Sequence, residues 1–148
     1  MTVNGSDLTL SEADRKELIR WTTSCVRRLL PIFEIAAPHD GRLLEALEGA
    51  ESFARGEVGV GPMRKLAFAC HAAARDVDDP AAEAVARACG QAVAVAHMAG
   101  HSREVARYTK RALGTESPPE LAWQRAHIPA RFEKYVYNDT LARPGAPE

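Results

Sequence analysis

Apolar residues in this chain recur every three or four positions, and Pro or Gly breaks the pattern at short intervals. Period-2 alternation over four or more residues is missing, and the one strand-like piece, Val58-Gly-Val60, is too short to count. That combination excludes a sheet-based core. Alanine, the best helix former, is the commonest residue. The expected fold is therefore all-α: a single-domain antiparallel bundle of about six to seven helices, with Ala-rich helices at its centre. The 148 residues suit one domain and bury enough surface to fold without a disulfide or a metal.

The punctuation sets the expected elements. Residues 1–10 read as a flexible lead-in, 11–142 as the helical domain and 143–148 as a frayed tail. Ser11 caps a first helix whose stripe is Leu18, Trp21, Cys25, Leu29 and Ile32, with Leu10 as a staple. Pro31 should kink or break it near Arg28. A second helix spans 41–55 after a cap at Asp40, and Gly56 ends it. Pro62 opens a third, to about Asp76, burying Met63, Leu66, Ala67, Cys70 and Ala74. Asp79 caps a fourth, 80–99, lined by Ala81, Ala84, Ala88, Ala92 and Ala96. A fifth covers 101–113, a sixth opens at Ser117-Pro118-Pro119, and a last segment after Pro129 turns Phe132, Tyr135 and Val136 inward.

Charge and cysteine usage exclude several function classes. Nineteen basic against 20 acidic side chains give a net charge of −1. A generic nucleic-acid or anionic-membrane binder would carry a basic excess, so neither a membrane nor sequence-specific nucleic acid is expected as a partner. No apolar run approaches the roughly 20 residues that span a bilayer. Cys25, Cys70 and Cys89 are odd in number and show no CxxC spacing, so reduced core thiols and a cytoplasmic location are expected.

Candidate chemistry is sparse. His97 and His101 stand four apart, and with His71 they are the candidates for a metal site. An antiparallel hairpin turning near Asp78 would set His71 level with Arg87 and leave His97 roughly 15 Å further along. The same register puts Cys70 near Cys89. No metal and no cofactor are therefore expected. Cys70 and His71 are adjacent, so on a helix they point apart rather than forming a nucleophile–base pair. Residues 56–61 are glycine-rich but have no preceding strand and no following Lys-Ser/Thr, so they form no phosphate loop. Asp76, Asp78 and Asp79 lie at a helix junction, where capping explains them. Arg103, Arg107, Lys110 and Arg111 share one helix face.

Several stretches, taken in order, resemble a bacterial family of small all-helical immunity proteins, the immunity-protein-5-like group. They are Asp14-Arg-Lys-Glu-Leu-Ile-Arg-Trp21 with Cys25, Leu30-Pro-Ile-Phe33, Ala50-Glu-Ser-Phe-Ala-Arg-Gly-Glu57 and Ala69-Cys-His-Ala-Ala-Ala-Arg75. Ala92-Val-Ala-Val-Ala-His-Met-Ala-Gly-His101, Tyr108 and Ala122-Trp-Gln-Arg-Ala126 complete the set, which covers most of residues 11–131. The resemblance implies binding rather than catalysis: a non-enzymatic protein that docks on a cognate protein toxin and neutralises it.

Such an interface needs a few aromatic or arginine anchors. Trp123, Tyr135 and Tyr137, with Arg103, Arg107 and Arg111, are the candidates. Two alternatives stand beside this reading. One is a small helical metal-binding protein or enzyme using His71, His97 and His101. The other is a general scaffold or interaction module, with a homodimer as one form.

Overall fold

The computed structural model describes residues 2–137. The final residues of the expected domain, 138–142, and the expected tail lie outside them. Among the described residues there are seven α-helices and no strand. The helices are α1 Glu12–Ala36, α2 Arg42–Ala54, α3 Val60–Asp76, α4 Pro80–Ala94, α5 Val105–Leu113, α6 Ser117–His127 and α7 Glu133–Tyr137. Short 3-10 turns stand at Ala99–Glu104, Gly114–Glu116 and Ala130–Phe132. None of the helices is long and apolar enough to cross a membrane.

Helix α4 is the centre of the bundle, packed against α1, α2, α3 and α5. Ten of its 15 residues are buried, and six of those are alanine. Small side chains let four neighbours approach one axis, and a helix apolar on nearly every side belongs inside. The Thr22 hydroxyl of α1 donates to Ala92 O of α4 at 3.1 Å, a bond that holds the two backbones close.

The caps follow from the sequence. Ser11 Oγ accepts from Asp14 N at 3.1 Å, and Asp79 Oδ2 accepts from Ala82 N at 2.9 Å. Asp40 stands one residue before the cap position of α2, which Gly41 occupies, and its carboxylate still accepts from Arg42 N. Gly56 and Gly114 end α2 and α5 with φ of 77° and 56°, conformations that cost glycine little.

Four boundaries differ from expectation, among them the start of α5 at Val105 rather than His101, since residues 101–104 lie in the 3-10 turn. Pro31 does not break α1, which runs through it to Ala36. Pro31 lies on the solvent side, while Leu29, Leu30 and Phe33 stay buried around it and hold the helix to the core. Helix α3 starts at Val60, so Pro62 lies inside its first turn, where an N–H has no acceptor in any case. Helix α4 ends at Ala94 rather than near Ala99. Here the N-terminal segment competes for the backbone: Gly100 N donates to Leu8 O at 2.8 Å and Ala99 N to Thr9 O at 3.3 Å.

The segment ahead of α1 crosses the bundle. Asp7 Oδ1 accepts from Thr9 N and Leu10 N, and this turn carries buried Leu10 into the left-handed region at φ 57°. Leu10 O in turn accepts from Arg15 Nη1, whose Nε reaches Ala96 O.

Candidate functional site

The hairpin register read from the sequence holds between α3 and α4. Arg87 Nη1 donates to His71 Nδ1 at 2.9 Å, and Cys70 Sγ lies 3.6 Å from Cys89 Sγ. Arginine can only donate, so His71 Nδ1 carries no proton and the neutral ring holds it on Nε2. The ring lies flat against α4 at Gly90: a Cβ there would sit 2.6 Å from His71 Nε2. All three cysteines are free and buried. Burial raises the Cys25 thiol pKa, and Cys89 is raised by its hydrogen bond to Cys70 and by burial.

His97, in the turn that follows α4, meets His101 on the 3-10 turn beyond it. Their rings stand edge to face, 5.1 Å between centroids, and His101 Nδ1 donates to Gln91 Oε1 at 2.8 Å. His97 Nδ1 is buried with no hydrogen-bond partner among the described residues. All three imidazoles have lowered pKa values, and burial is the main cause in each. Neighbouring cations add to it: Arg87 and Arg75 at His71, and His101, Arg64 and Arg15 at His97. Among the described residues no three His, Cys, Asp or Glu side chains converge as a metal ligand set.

The aromatic and arginine candidates divide by role. Tyr135 is 2% exposed; its hydroxyl donates to Asp7 O at 2.8 Å. Arg103 covers that ring at 4.3 Å and donates to Tyr135 O and Gly5 O. These two side chains clamp the N-terminal segment onto α7. Trp123 is half-buried between the Arg28 guanidinium, 4.0 Å above its ring, and the stacked His127 imidazole. Tyr137 packs edge-on against Trp21 at 6.3 Å and under Arg125 at 4.5 Å. Arg107 and Arg111 are exposed and flank Tyr108. Arg107 pairs with Glu104 at 2.9 Å. Arg111 edges a cleft of about 450 Å³ bounded by Val77, Asp78, Pro80 and Glu83.

One exposed face was not singled out in the sequence. Phe68 projects from α3 with 70% of its surface exposed. Arg64, Phe68, His71 and Arg75 follow at steps of four, three and four, so they form one line along the helix, with Lys65 beside it. Residues 58–75 contain no Asp or Glu, and neither do residues 84–103 of the partner hairpin arm and its extension. That compositional gap was the available signal. The apolar stripe Met63–Ala67–Cys70–Ala74 is the stronger pattern in the sequence, and Phe68 lies off it.

The Imm-5 like putative immunity protein family matches residues 8–131. The chain belongs to that family. The match spans α1 through α6 and ends within the 3-10 turn before α7. No curated protein and no solved structure matches the chain.

Proposed function

We propose that this member of the immunity family acts in the bacterial cytoplasm by binding a cognate protein toxin in stoichiometric complex and blocking it, without turning anything over. The family match across residues 8–131 is the observation that carries this reading. The geometry is compatible with it. The bundle is rigidly cored by α4, and bundles of this kind present preformed helix faces to a partner with little loss of conformational freedom.

The test is protection of a cell. The protein is co-expressed with any product encoded beside its gene that proves toxic alone, and growth is followed as the ratio of the two is varied. Stoichiometric binding predicts survival up to equal amounts and death beyond them, with a 1:1 complex in gel filtration. Protection by a small fraction of one equivalent would instead mean turnover. Death at every ratio, with folded protein present, would remove the toxin-antagonist reading.

A further inference from the structure

We infer that the outer face of α3, centred on Phe68 and flanked by Arg64, Lys65, Arg75 and Arg87, is the docking surface for the partner, and that the partner offers it a carboxylate-rich protein segment with an apolar recess. This rests on the binding reading above and deepens it.

Charge complementarity identifies the occupant. Among the described residues Arg64, Lys65, Arg75 and Arg87 have no carboxylate within ion-pair distance, whereas Arg27, Arg28, Arg42, Arg55, Arg107 and Arg131 all do. Acids border the face: Asp76 ends α3 and is already paired with Arg42, Glu83 stands one turn before Arg87 on α4, and Glu104 lies near His101. An anionic surface laid on α3 therefore meets cations whose charge nothing among the described residues has neutralised. Phe68 supplies what charge alone lacks. An aromatic ring held on a rigid helix and surrounded by polar groups is the usual form of an interface anchor, buried at the centre with charges at the rim.

A protein segment fits better than the other polyanions. Four cations on one helix pair are few for a phosphate backbone, and the chain as a whole carries −1. The half-buried His71, held against Gly90 by Arg87, adds a polar edge beside the Phe68 ring.

The experiment uses the full chain and a displayed random-peptide library selected at 150 mM salt. The selected peptides are then measured by calorimetry against the wild type and three variants. The expected winners carry several Asp or Glu around one bulky apolar residue. Phe68→Ser should weaken them at least tenfold, and Arg64→Glu with Arg75→Glu at least a hundredfold. Trp123→Ala should change affinity less than twofold. Unchanged melting curves for the Phe68 and arginine variants, all at exposed positions, keep the comparison clean. Neutral or basic winners would overturn the inference, as would loss of binding on Trp123→Ala with none on Phe68→Ser. Tighter binding of a 20-nucleotide RNA or of phosphatidylserine vesicles would overturn it too, as would a homodimer that Phe68→Ser dissociates. The cell-protection assay separates the two readings. Full protection by Phe68→Ser and by the double charge reversal sinks this surface and leaves the toxin antagonist standing. Acidic-peptide binding that needs Phe68, without protection of cells, does the reverse.

Discussion

The face built from α1, α6 and α7 and the face built from α3 treat the same side chain in opposite ways. On the first, arginines are consumed by the fold. Arg28 makes a two-pronged contact with Glu120 at 2.6 and 3.1 Å while covering Trp123, and Arg131 reaches Asp14 and Glu17 while covering Phe132. On the second, Arg64 and Arg75 stand in solvent beside an exposed phenyl ring. Surface ion pairs add little stability each, but a planar guanidinium between a carboxylate and an aromatic ring fixes two helices in register. The comparison teaches that exposure and pairing, not residue type, separate arginines that hold this fold from arginines free to hold something else.

Predictions follow that break or sharpen this contrast. The largest effect belongs to the α1–α6 side. Trp21 is 4% exposed and its Nε1 donates to Gln124 O at 2.8 Å. Trp21→Ala should cost about 3–5 kcal/mol in urea unfolding, from lost packing and an unpaired carbonyl. Loss of under 1 kcal/mol would mean this face does not carry the fold.

Arg28→Ala comes next, with a clearly smaller loss by the same measurement, because its ion pair with Glu120 is partly solvated. Salt at 1 M should shrink that cost. A cost that ignores salt would assign the residue's role to packing over Trp123 alone.

The imidazoles give a pH signature on the other side of the molecule. His71, His97 and His101 all have folded-state pKa values below the ordinary 6.5, so the unfolded chain binds more protons than the folded one over that range. Stability from them is fully present above about pH 6.5 and falls as pH drops toward the lowered folded values. Replacing all three by Gln should flatten that decline in thermal melts between pH 7 and 5. An unaltered decline would assign acid sensitivity to the carboxylate pairs.

The smallest change in stability comes at Gly90, where the two helices meet under His71. Gly90→Ala pushes the ring outward, while Ala improves α4 by about 1 kcal/mol of helix propensity, so net stability should move by roughly that much or less. The readout is the ring: by NMR the His71 pKa should climb back toward its ordinary value as the imidazole leaves its buried seat. A pKa that stays low would show that α4 shifts and the ring does not.

Much of the bundle was legible because its determinants are local. Ser11, Asp79, Gly56 and Gly114 mark ends by capping or by positive φ, and the short turn at Asp78 fixes the α3–α4 register well enough to place His71 beside Arg87 and Cys70 beside Cys89. What was not legible depends on distant partners. Pro31 reads as a breaker until buried Leu29, Leu30 and Phe33 are seen to hold α1 straight through it. The end of α4 depends on residues Leu8 and Thr9, some 90 positions earlier, which take the backbone N–H groups of Gly100 and Ala99 just beyond it. For the candidate site the limit was similar. Arg103 and Tyr135 look like anchors in one dimension, and only their joint grip on Gly5 and Asp7 shows the task they perform. Phe68 stands off the apolar stripe of α3, and only the packed structure shows that the stripe fills the interior without it and leaves the ring in solvent.

The most direct test puts stability and binding of Phe68→Ser side by side on the full chain. With acidic peptides as the probe, the account predicts a melting temperature within about 2 °C of wild type, as for an exposed side chain, and affinity at least tenfold weaker. A variant that melts several degrees lower yet binds the same peptides undiminished would place Phe68 in the fold and contradict the account.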